Sequence, residues 1–442
     1  MAPDKKKKGS GAGGNTTRRP SKRQKVSKAK NLPLPHATTA TPNPNLTNSR
    51  MDYSTAIAKQ LLLERVKEGS NENFALSPVS IDVVLTMAAA GSRGPTLERM
   101  LAFLGAQDID GIKSIASAMM AAAVCGGDEG GDGPVLCMVN GVWVDERFTL
   151  VDSYKEEIVK GIYGCDAQSV DFFNQTEEVV KKVNSWAEDA SKGLIKNLLQ
   201  PGSLSRYTAI ILANGIYFKG IWTHERSFDA SLTEERNFYL LTGDTISIPF
   251  MTSRRERYHY RSFDSFKVLK IPYQSSKLDR KFSMYFFLPH EKVGLQNLLE
   301  ELCSDSGSSK QDYFNLSEES LDRVWIPKFE FSYEFDVSLT MKEMGMMFPF
   351  LENPEDLLEM MKIPKGTRPF YPSVMIQKVV IKVDEKGTEA AVISYMRLAT
   401  TAGRSCPPPK PSFIADHPFM FMIKEEMSGL IFFKGAVLNP RL

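Results

Sequence analysis

The segment VDEKGTEAAVISYMRL, from Val383 to Leu398, combines features of a strand with features of a loop. It opens with a charged, turn-like DEKG, and its later residues alternate as those of a strand do. It then runs into ATTAGRSCPPPKPS, residues 399–412, whose prolines favour an extended polyproline segment over a strand. The sequence therefore predicts a good strand that is carried inside an exposed loop.

Alternate residues of this segment form two sets, because successive side chains of a strand face opposite ways. One set is small or apolar throughout and suits a core. The other set has polar members that suit an outer face. An ordinary half-buried strand would explain this alternation equally well. The first set is Thr388, Ala390, Val392, Ser394, Met396 and Leu398, and the second is Glu389, Ala391, Ile393, Tyr395 and Arg397.

The charge of the chain is distributed unevenly. Residues 1–30 hold eleven of the 55 Lys and Arg but only one of the 53 Asp and Glu, so the rest of the chain carries a net charge of −8. This basic arm is rich in Gly and Ser and has few bulky apolar residues, which predicts disorder. Residues 31–50 continue as a Pro- and Asn-rich linker. We therefore expect residues 1–50 to be a disordered basic extension.

The runs KKKK and RRPSKRQK in the arm are typical of nuclear-localisation or nucleic-acid patches, although a solvated tail without such a role has the same composition. The acidic body carries no zinc-finger or RNA-binding signature, so nucleic acid is expected at most as a partner of the arm. No apolar run is long enough to span a bilayer, and residues 1–30 lack a secretory apolar segment. We expect a cytoplasmic or nuclear protein without a membrane partner, an extracellular location being less favoured.

From Met51 onward the pattern is that of a folded domain, 51–442. Apolar residues spaced at three and four predict a helix over 51–69, and Ser77 followed by Pro78 predicts the start of a second, buried helix. Strands and helices do not alternate strictly, which favours an α+β fold. The predicted strands are 74–76, 138–145, 207–222, 267–274, 281–290, 324–335, 374–384 and 428–437, and further helices are predicted at 112–124, 179–191 and 336–346.

Motifs for catalysis or cofactor binding are missing from the sequence. The five histidines lack HExxH spacing, and there is no GxSxG elbow, P-loop or dinucleotide-binding GxGxxG. The five cysteines show neither paired spacing nor CxxC, so neither a disulfide framework nor a zinc site is expected. We expect a protein that is not an enzyme and that needs no cofactor or metal.

Several separated motifs, in this order and spacing, resemble those of the serpin family of serine protease inhibitors, and in particular its plant-type intracellular branch. The resemblance covers about residues 51–440. Its motifs are NFALSPVSI (73–81), AAGSRGPT (89–96), NGIYFKGIW (214–222), VWIPKFEF (324–331), DEKGTEAA (384–391), ADHPFMFMI (415–423) and GLIFFKGAVLNP (429–440).

The resemblance implies a serpin fold with three β-sheets, eight or nine helices and a reactive-centre loop at about residues 385–412. It implies a monomer whose partner is a serine protease, or a papain-like cysteine protease, that attacks this loop and forms an acyl-enzyme. Insertion of the cleaved loop as a new strand of the central sheet then drags the protease away, and this strand addition is a known property of the serpin family. A non-inhibitory serpin that acts as an intracellular or nuclear interaction protein is the alternative.

The resemblance also implies roles for single residues. The loop hinge comprises Glu385, Gly387, Thr388, Glu389, Ala390 and Ala391, with Glu385 as an anchoring acid. A hydrogen-bonded shutter under the central sheet maps to Ser77, Ser80, Asn214 and Gln377. Gln377 stands where the family usually has histidine, and Val392 and Ile393 stand where inhibitory members usually have small residues. These departures leave the inhibitory capacity open.

The cleavage position has two candidates. Counting seventeen residues from Glu385, as in inhibitory relatives, places the scissile bond between Thr401 and Ala402. A register three residues later places it between Arg404 and Ser405. A threonine would suit a protease with a small or unselective primary pocket, whereas an arginine would suit a trypsin-like or Arg-specific cysteine protease.

Overall fold

The structure is a computed structural model that describes residues 44–123, 134–193, 195–223, 228–274, 280–304, 312–336, 357–364, 371–388 and 410–442. The chain divides into two units, Met1–Thr41 and Pro42–Leu442, and all described residues lie in the second. The basic arm lies outside the described residues, as does the predicted helix 336–346 apart from Asp336.

The described residues contain six α-helices, one π-helical segment and one short 3₁₀ turn. The first helix begins at Pro44, before Met51 and within residues 31–50, for which a linker was predicted. Proline suits the first turn of a helix because its missing N–H has no partner there in any case. The helices are α1 (Pro44–Glu68), α2 (Pro78–Ala90), α3 (Gly94–Leu104), α4 (Ile109–Ala123), α5 (Thr176–Ala190) and α6 (Leu295–Ser304), with the π-helical segment at Tyr154–Ile162 and the 3₁₀ turn at Ala230–Leu232.

The predicted three sheets are present, together with one isolated strand pair. The central sheet has the order β13-β15-β5-β2-β4, and β16 pairs with β5. Strand β5 pairs with β15 in parallel and with β2 in antiparallel fashion. The strands of this sheet are β2 (Val135–Asp145), β4 (Ala167–Val170), β5 (Thr208–Ile221), β13 (Phe329–Asp336), β15 (Tyr371–Val383) and β16 (Gly387–Thr388).

The second sheet has the order β1-β19-β18-β10-β9-β8-β11, and the third has the order β17-β12-β7-β6. The second sheet contains β1 (Phe74–Leu76), β8 (Arg257–Ser262), β9 (Phe266–Pro272), β10 (Phe282–Pro289), β11 (Ser317–Ser320), β18 (Phe419–Glu425) and β19 (Ile431–Val437). The third contains β6 (Glu234–Tyr239), β7 (Thr245–Met251), β12 (Val324–Pro327) and β17 (Phe413–Ile414), and the isolated pair is β3 (Thr149–Leu150) with β14 (Met361–Lys362).

The single strand predicted for residues 324–335 is two strands in two sheets. The break falls at Lys328, between β12 of the third sheet and β13 of the central sheet. Pro327 ends the first strand because it has no N–H to donate to a ladder. The buried alternate positions change phase at this break, from Val324 and Ile326 to Phe329, but this change does not say which sheet each part joins.

The central sheet is covered on both faces by hydrophobic layers. Ile210, Leu212 and Ile216 of β5 belong to the main core, which contains most of α2. Ile211 and Ala213 of the same strand belong to a second core formed with α5. These alternate positions explain why β5 is mostly apolar, as a strand buried on both faces is. Among the described residues, no helix is both long and apolar enough to span a membrane.

Candidate functional site: the loop hinge and the shutter

The position at which a loop strand would enter the central sheet is closed. Strands β5 and β15 pair directly, from Tyr371 opposite Thr208 to Val380 opposite Tyr217. Beyond Tyr217 the strand β5 continues to Ile221 while its pairing with β15 has ended. The two strands therefore part at this end, and the hinge lies in the opening.

The chain reverses direction directly after β15. In a tight turn, the Asp384 N–H donates to the Gly387 carbonyl oxygen at 2.9 Å, and the Gly387 N–H donates to the Asp384 carbonyl oxygen at 3.3 Å. Strand β16 then pairs antiparallel with β5, with Gly387 opposite Ile221 and Thr388 opposite Gly220. The first residues of the predicted loop thus already occupy the opening between β15 and β5.

Gly387 is required by its surroundings. Its φ is +143°, and a Cβ added to it would lie 2.0 Å from the carbonyl oxygen of Gly220. Such a distance is a severe clash with backbone that cannot rotate away. The close approach of β16 to β5 therefore depends on glycine at this position.

Glu385, the predicted anchoring acid, is held in place by two side chains. Lys328 Nζ lies 2.6 Å from Glu385 Oε1, and the Thr233 hydroxyl donates to the same oxygen at 2.6 Å. Burial acts to raise the pKa of the Glu385 carboxyl, but the hydrogen bonds from Lys328 and Thr233 outweigh it and hold that pKa below its ordinary value. The carboxylate therefore ties the hinge to the junction between β12 and β13.

Trp222, just beyond β5, fixes the turn from the other side. Its backbone N–H donates to the Lys386 carbonyl oxygen at 2.8 Å, and its Nε1–H donates to the Asp384 carbonyl oxygen at 3.0 Å. Its ring stacks on Tyr273, with centroids 4.5 Å apart and planes at 17°. The sequence motif NGIYFKGIW contained this tryptophan, but its role at the hinge was not predicted.

The four predicted shutter residues lie together in a buried polar cluster. The Ser77 N–H donates to Gln377 Oε1 at 2.9 Å, and Gln377 Nε2 donates to the Ser77 carbonyl oxygen at 2.8 Å. Ser77 also caps α2 by accepting from the Ser80 N–H at 3.1 Å. The Ser80 hydroxyl donates to Asn214 Oδ1. The cluster therefore connects the N-terminus of α2 with both strands that close the sheet.

Asn140 is a further member of the cluster that the sequence analysis missed. Asn214 Nδ2 donates to Asn140 Oδ1 at 2.6 Å, and Asn140 Nδ2 donates to the Tyr163 carbonyl oxygen at 3.3 Å. Gln377, Asn214 and Asn140 are directly opposite one another on β15, β5 and β2. An asparagine within the otherwise apolar strand MVNGVWVD was the available signal, because a buried amide needs partners.

Most of the reactive-centre loop lies outside the described residues, including the hinge residues Glu389, Ala390 and Ala391 and both candidate cleavage sites, Thr401–Ala402 and Arg404–Ser405. The far end of the loop is anchored to the third sheet. Strand β17 pairs in parallel with β12, and the Asp322 N–H donates to the Pro411 carbonyl oxygen at 2.8 Å.

A three-sheet α+β fold with a closed central sheet and a strand-like hinge at its open end is that of a serpin. The family model described as serpin (serine protease inhibitor) matches residues 52–440, and the chain belongs to this family.

Plant serpins are among its relatives. Serpin-Z10 of Arabidopsis thaliana is 40% identical over 381 residues, which cover 86% of this chain and 94% of that protein. Serpin-Z1C of Triticum aestivum is 38% identical, with 84% and 90% covered. The solved structure of Arabidopsis AtSerpin1 in its native stressed conformation has a TM-score of 0.79 and 34% identity, and covers 91% of this chain and 100% of its own. The predicted resemblance to plant serpins is confirmed.

Proposed function

We propose that this serpin inhibits serine endopeptidases, and papain-like cysteine proteases, by covalent trapping with insertion of its cleaved loop. The observation that carries this proposal is the pairing of Gly387 and Thr388 with the end of β5. The hinge already runs antiparallel to β5, in the direction that a complete inserted strand would take. The direct pairing of β5 with β15 has to open first.

The hinge register supports one of the two cleavage positions. Continuing it from Thr388 opposite Gly220 brings Thr400 opposite Thr208, so residues 387–400 match the 14 residues of β5. Thr208 is also opposite Tyr371, where β15 begins. The two strands that would flank the inserted loop and form its slot, β5 and β15, therefore start at the same level. Thr401 would then be the first residue beyond the slot, which favours cleavage between Thr401 and Ala402 over cleavage between Arg404 and Ser405.

The same register also determines which residues of the central sheet each loop side chain would meet. Val392 would come opposite Ile216, and Met396 opposite Leu212, both of which face the core that contains α2. Ser394 would come opposite Asn214, at the level of the buried polar cluster. Directly opposite residues share a face of a sheet. The apolar loop residues would therefore meet apolar core, and the serine would meet polar partners.

The chemistry requires only the protease's own catalytic groups. The protease serine attacks the carbonyl carbon of Thr401, the bond to the nitrogen of Ala402 breaks, and the new amino terminus leaves with a proton. An ester between Thr401 and the serine remains. The new strand would gain hydrogen bonds to β5 and β15, each contributing about 1 kcal/mol net. Fourteen residues at about 3.3 Å each move the ester roughly 45 Å.

The test is incubation of the purified protein with trypsin, an elastase and a papain-like protease, followed by denaturing electrophoresis and mass spectrometry. We expect an adduct that survives denaturation, with a released peptide that begins at Ala402. A peptide beginning at Ser405 would assign the cleavage to Arg404 instead. We also expect the loop-cleaved protein to melt at a markedly higher temperature than the intact one.

The alternative, a non-inhibitory serpin that serves as an interaction protein, is favoured by one observation. Ile393 would come opposite Gly215, where even an added Cβ lies 2.7 Å from Ile195 Cδ1. Ile211 and Ala213, opposite Arg397 and Tyr395, are also covered by the core that contains α5. The face that these loop residues would meet is thus not open, contrary to the sequence-based expectation, and α5 would have to move. Cleavage without an adduct and without a gain in melting temperature would establish this alternative.

We propose a cytoplasmic or nuclear location, with the basic arm of residues 1–30 as a nuclear signal. The supporting feature is the charge of the arm, eleven basic residues against one acid. Imaging of a fluorescent fusion in plant cells, with and without residues 1–30, tests this. Equal nuclear signal in both would remove the proposed role of the arm.

A further inference from the structure

A cluster of two arginines and two exposed aromatic residues lies at the end of the central sheet opposite the hinge. It consists of Arg147, Phe173, Arg206 and Tyr207, and is called the arginine–aromatic patch below. The Phe173 ring has Arg206 Cζ 4.0 Å from its centroid and Arg147 Cζ at 5.2 Å. Tyr207 packs edge-on against Phe173, with ring centroids 6.4 Å apart. The four side chains therefore form one continuous surface.

The patch is fixed by a buried carboxylate. Asp145, at the end of β2, is buried, binds the Arg147 guanidinium, and accepts a hydrogen bond from the Phe172 N–H at 3.0 Å. Arg206 has no carboxylate within ion-pair distance among the described residues. The two aromatic side chains are also accessible, since Phe173 is 37% exposed and Tyr207 is 43% exposed. Two large aromatic side chains and an unneutralised guanidinium thus face solvent on a rigid base.

The patch lies where a fully inserted loop would end. Tyr207 directly precedes β5, whose first residue is Thr208. Continuing the hinge register past Thr400 brings Thr401 opposite Tyr207. The residue that carries the ester in the proposed acyl-enzyme would therefore arrive beside the patch.

We infer that the arginine–aromatic patch is the docking surface for the trapped protease. This inference rests on the proposed function. The ester would hold the protease beside the patch, so even weak contacts are formed at a high effective concentration. Arginine and tyrosine are enriched among residues that dominate protein interfaces, and the guanidinium of Arg206 suits acidic or carbonyl groups of the protease. Contacts at the patch oppose the return of the protease to an undistorted state in which water could release it.

The first experiment compares the decay of the adduct in three proteins. These are the wild type, the double variant Arg206→Ala with Phe173→Ala, and the control Arg261→Ala, which removes an arginine stacked on Phe263 in the second sheet. The protease is whichever of trypsin, the elastase or the papain-like enzyme forms the adduct. Loss of about 1 kcal/mol of contact predicts decay roughly fivefold faster in the double variant. The association rate and the control's decay rate should be unchanged. Should the double variant fold poorly, Arg206→Glu alone is expected to speed the decay.

The second experiment is hydroxyl-radical footprinting of Phe173 and Tyr207 by mass spectrometry. It compares the intact protein, the loop-cleaved protein without attached protease, and the adduct. We expect protection of both side chains in the adduct alone. An adduct that leaves them as reactive as in the cleaved protein, or that decays at the wild-type rate in the double variant, overturns the docking inference while the proposed inhibition stands. Failure to form any adduct overturns both.

Discussion

Gln377 and Ser77, 300 residues apart in the chain, exchange two hydrogen bonds: the Ser77 N–H donates to Gln377 Oε1 at 2.9 Å, and Gln377 Nε2 donates to the Ser77 carbonyl oxygen at 2.8 Å. One side chain thus satisfies two backbone groups at the start of α2. A histidine, usual in the family at this position, has two ring nitrogens for the same purpose, whereas glutamine supplies an acceptor and a donor without titrating near neutral pH. The departure from the family pattern therefore preserves the connection between β15 and α2.

Replacing Gln377 by leucine should destabilise the protein strongly. The substitution leaves the N–H of Ser77 unpaired in a fully buried site, and it removes one of two hydrogen bonds to the Ser77 carbonyl oxygen, which keeps the one from the Ile81 N–H. One unsatisfied buried N–H lowers the free energy of unfolding by about 1–3 kcal/mol. Denaturant unfolding measures this difference. Gln200→Leu is the matched control, because the Gln200 side chain is exposed and donates to Glu334 at the surface, and its effect should stay within about 0.5 kcal/mol. Equal effects of the two variants would show that the Ser77 contacts do not stabilise the fold.

The sequence predicted local features of the fold better than long-range ones. Ser77 as a cap and Pro78 at the first helical position follow from chemistry within one turn, and both are confirmed. The grouping of Ser77 with Gln377 came from the family resemblance, because no local rule connects residues so far apart. Asn140 was missed since its meaning depends on the register of β2 against β5. The break at Lys328 and the start of α1 at Pro44 were missed for the same kind of reason, since tertiary context decides both.

The hinge could be predicted only in part. The glycine of DEKGTEAA indicated backbone freedom, but the pairing of Gly387 with Ile221 depends on how far β15 and β5 separate. Sequence alternation described which loop residues share a face. It could not reveal that α5 covers the second face of the central sheet, because α5 ends at Ala190, 198 residues before Thr388 of the loop.

Replacing Gly387 by alanine should expel β16 from its position beside β5. The added Cβ would lie 2.0 Å from the Gly220 carbonyl oxygen, at a φ of +143° that side chains rarely adopt. We expect the hinge to enter the sheet more slowly, so that a larger share of the inhibitor is cleaved without trapping the protease. The stoichiometry of inhibition measures this share.

Gly243→Ala provides the control for that experiment. Gly243 also has a positive φ, +89°, but nothing lies within 4 Å of an added Cβ. It sits in the turn between β6 and β7, away from the hinge. Its replacement should lower stability modestly through backbone strain and leave the stoichiometry unchanged. If Gly387→Ala traps proteases as efficiently as Gly243→Ala, the contact of Gly387 with β5 is not needed for insertion.

The contribution of the Glu385 carboxylate to the stability of the fold should depend on pH. Because hydrogen bonds from Lys328 and Thr233 hold the pKa of Glu385 below its ordinary value of 4.5, folding favours the carboxylate. Its stabilising contribution is therefore complete above pH 4.5 and is lost as the pH falls through the lower, folded-state value. The variant Glu385→Gln should melt at a lower temperature than the wild type at pH 7, by the equivalent of about 1–2 kcal/mol. This difference should shrink below pH 4.5.

Glu330→Gln serves as the reference in the same melting series. Glu330 pairs with Lys382 at 2.8 Å, but its side chain is 62% exposed, and exposed ion pairs contribute on the order of 0.5 kcal/mol. We expect almost no difference from the wild type at either pH. A Glu385→Gln difference that stays constant from pH 7 to pH 3.5 would refute the ionic anchor.

Replacing Ser394 by leucine should change the stability of the loop-inserted form but not that of the intact protein. The hinge register brings Ser394 opposite Asn214 only after insertion, whereas in the intact protein Asn214 already has Ser80 and Asn140 as partners. We therefore expect Ser394→Leu to leave the melting temperature of the intact protein unchanged. After loop cleavage, a leucine at this level offers the polar cluster no hydrogen bond, whereas the serine would contribute about 1 kcal/mol.

The gain in melting temperature on cleavage should accordingly be smaller for Ser394→Leu than for the wild type, and more inhibitor should be consumed per trapped protease. Met396→Leu is the matched control, since Met396 comes opposite Leu212 in the apolar core and the two side chains have similar volumes. The Met396→Leu variant should retain the full gain in melting temperature on cleavage. If Ser394→Leu gains as much as Met396→Leu, the inserted strand does not follow the register that the hinge sets, and the assignment of Thr401 to the end of the slot fails with it.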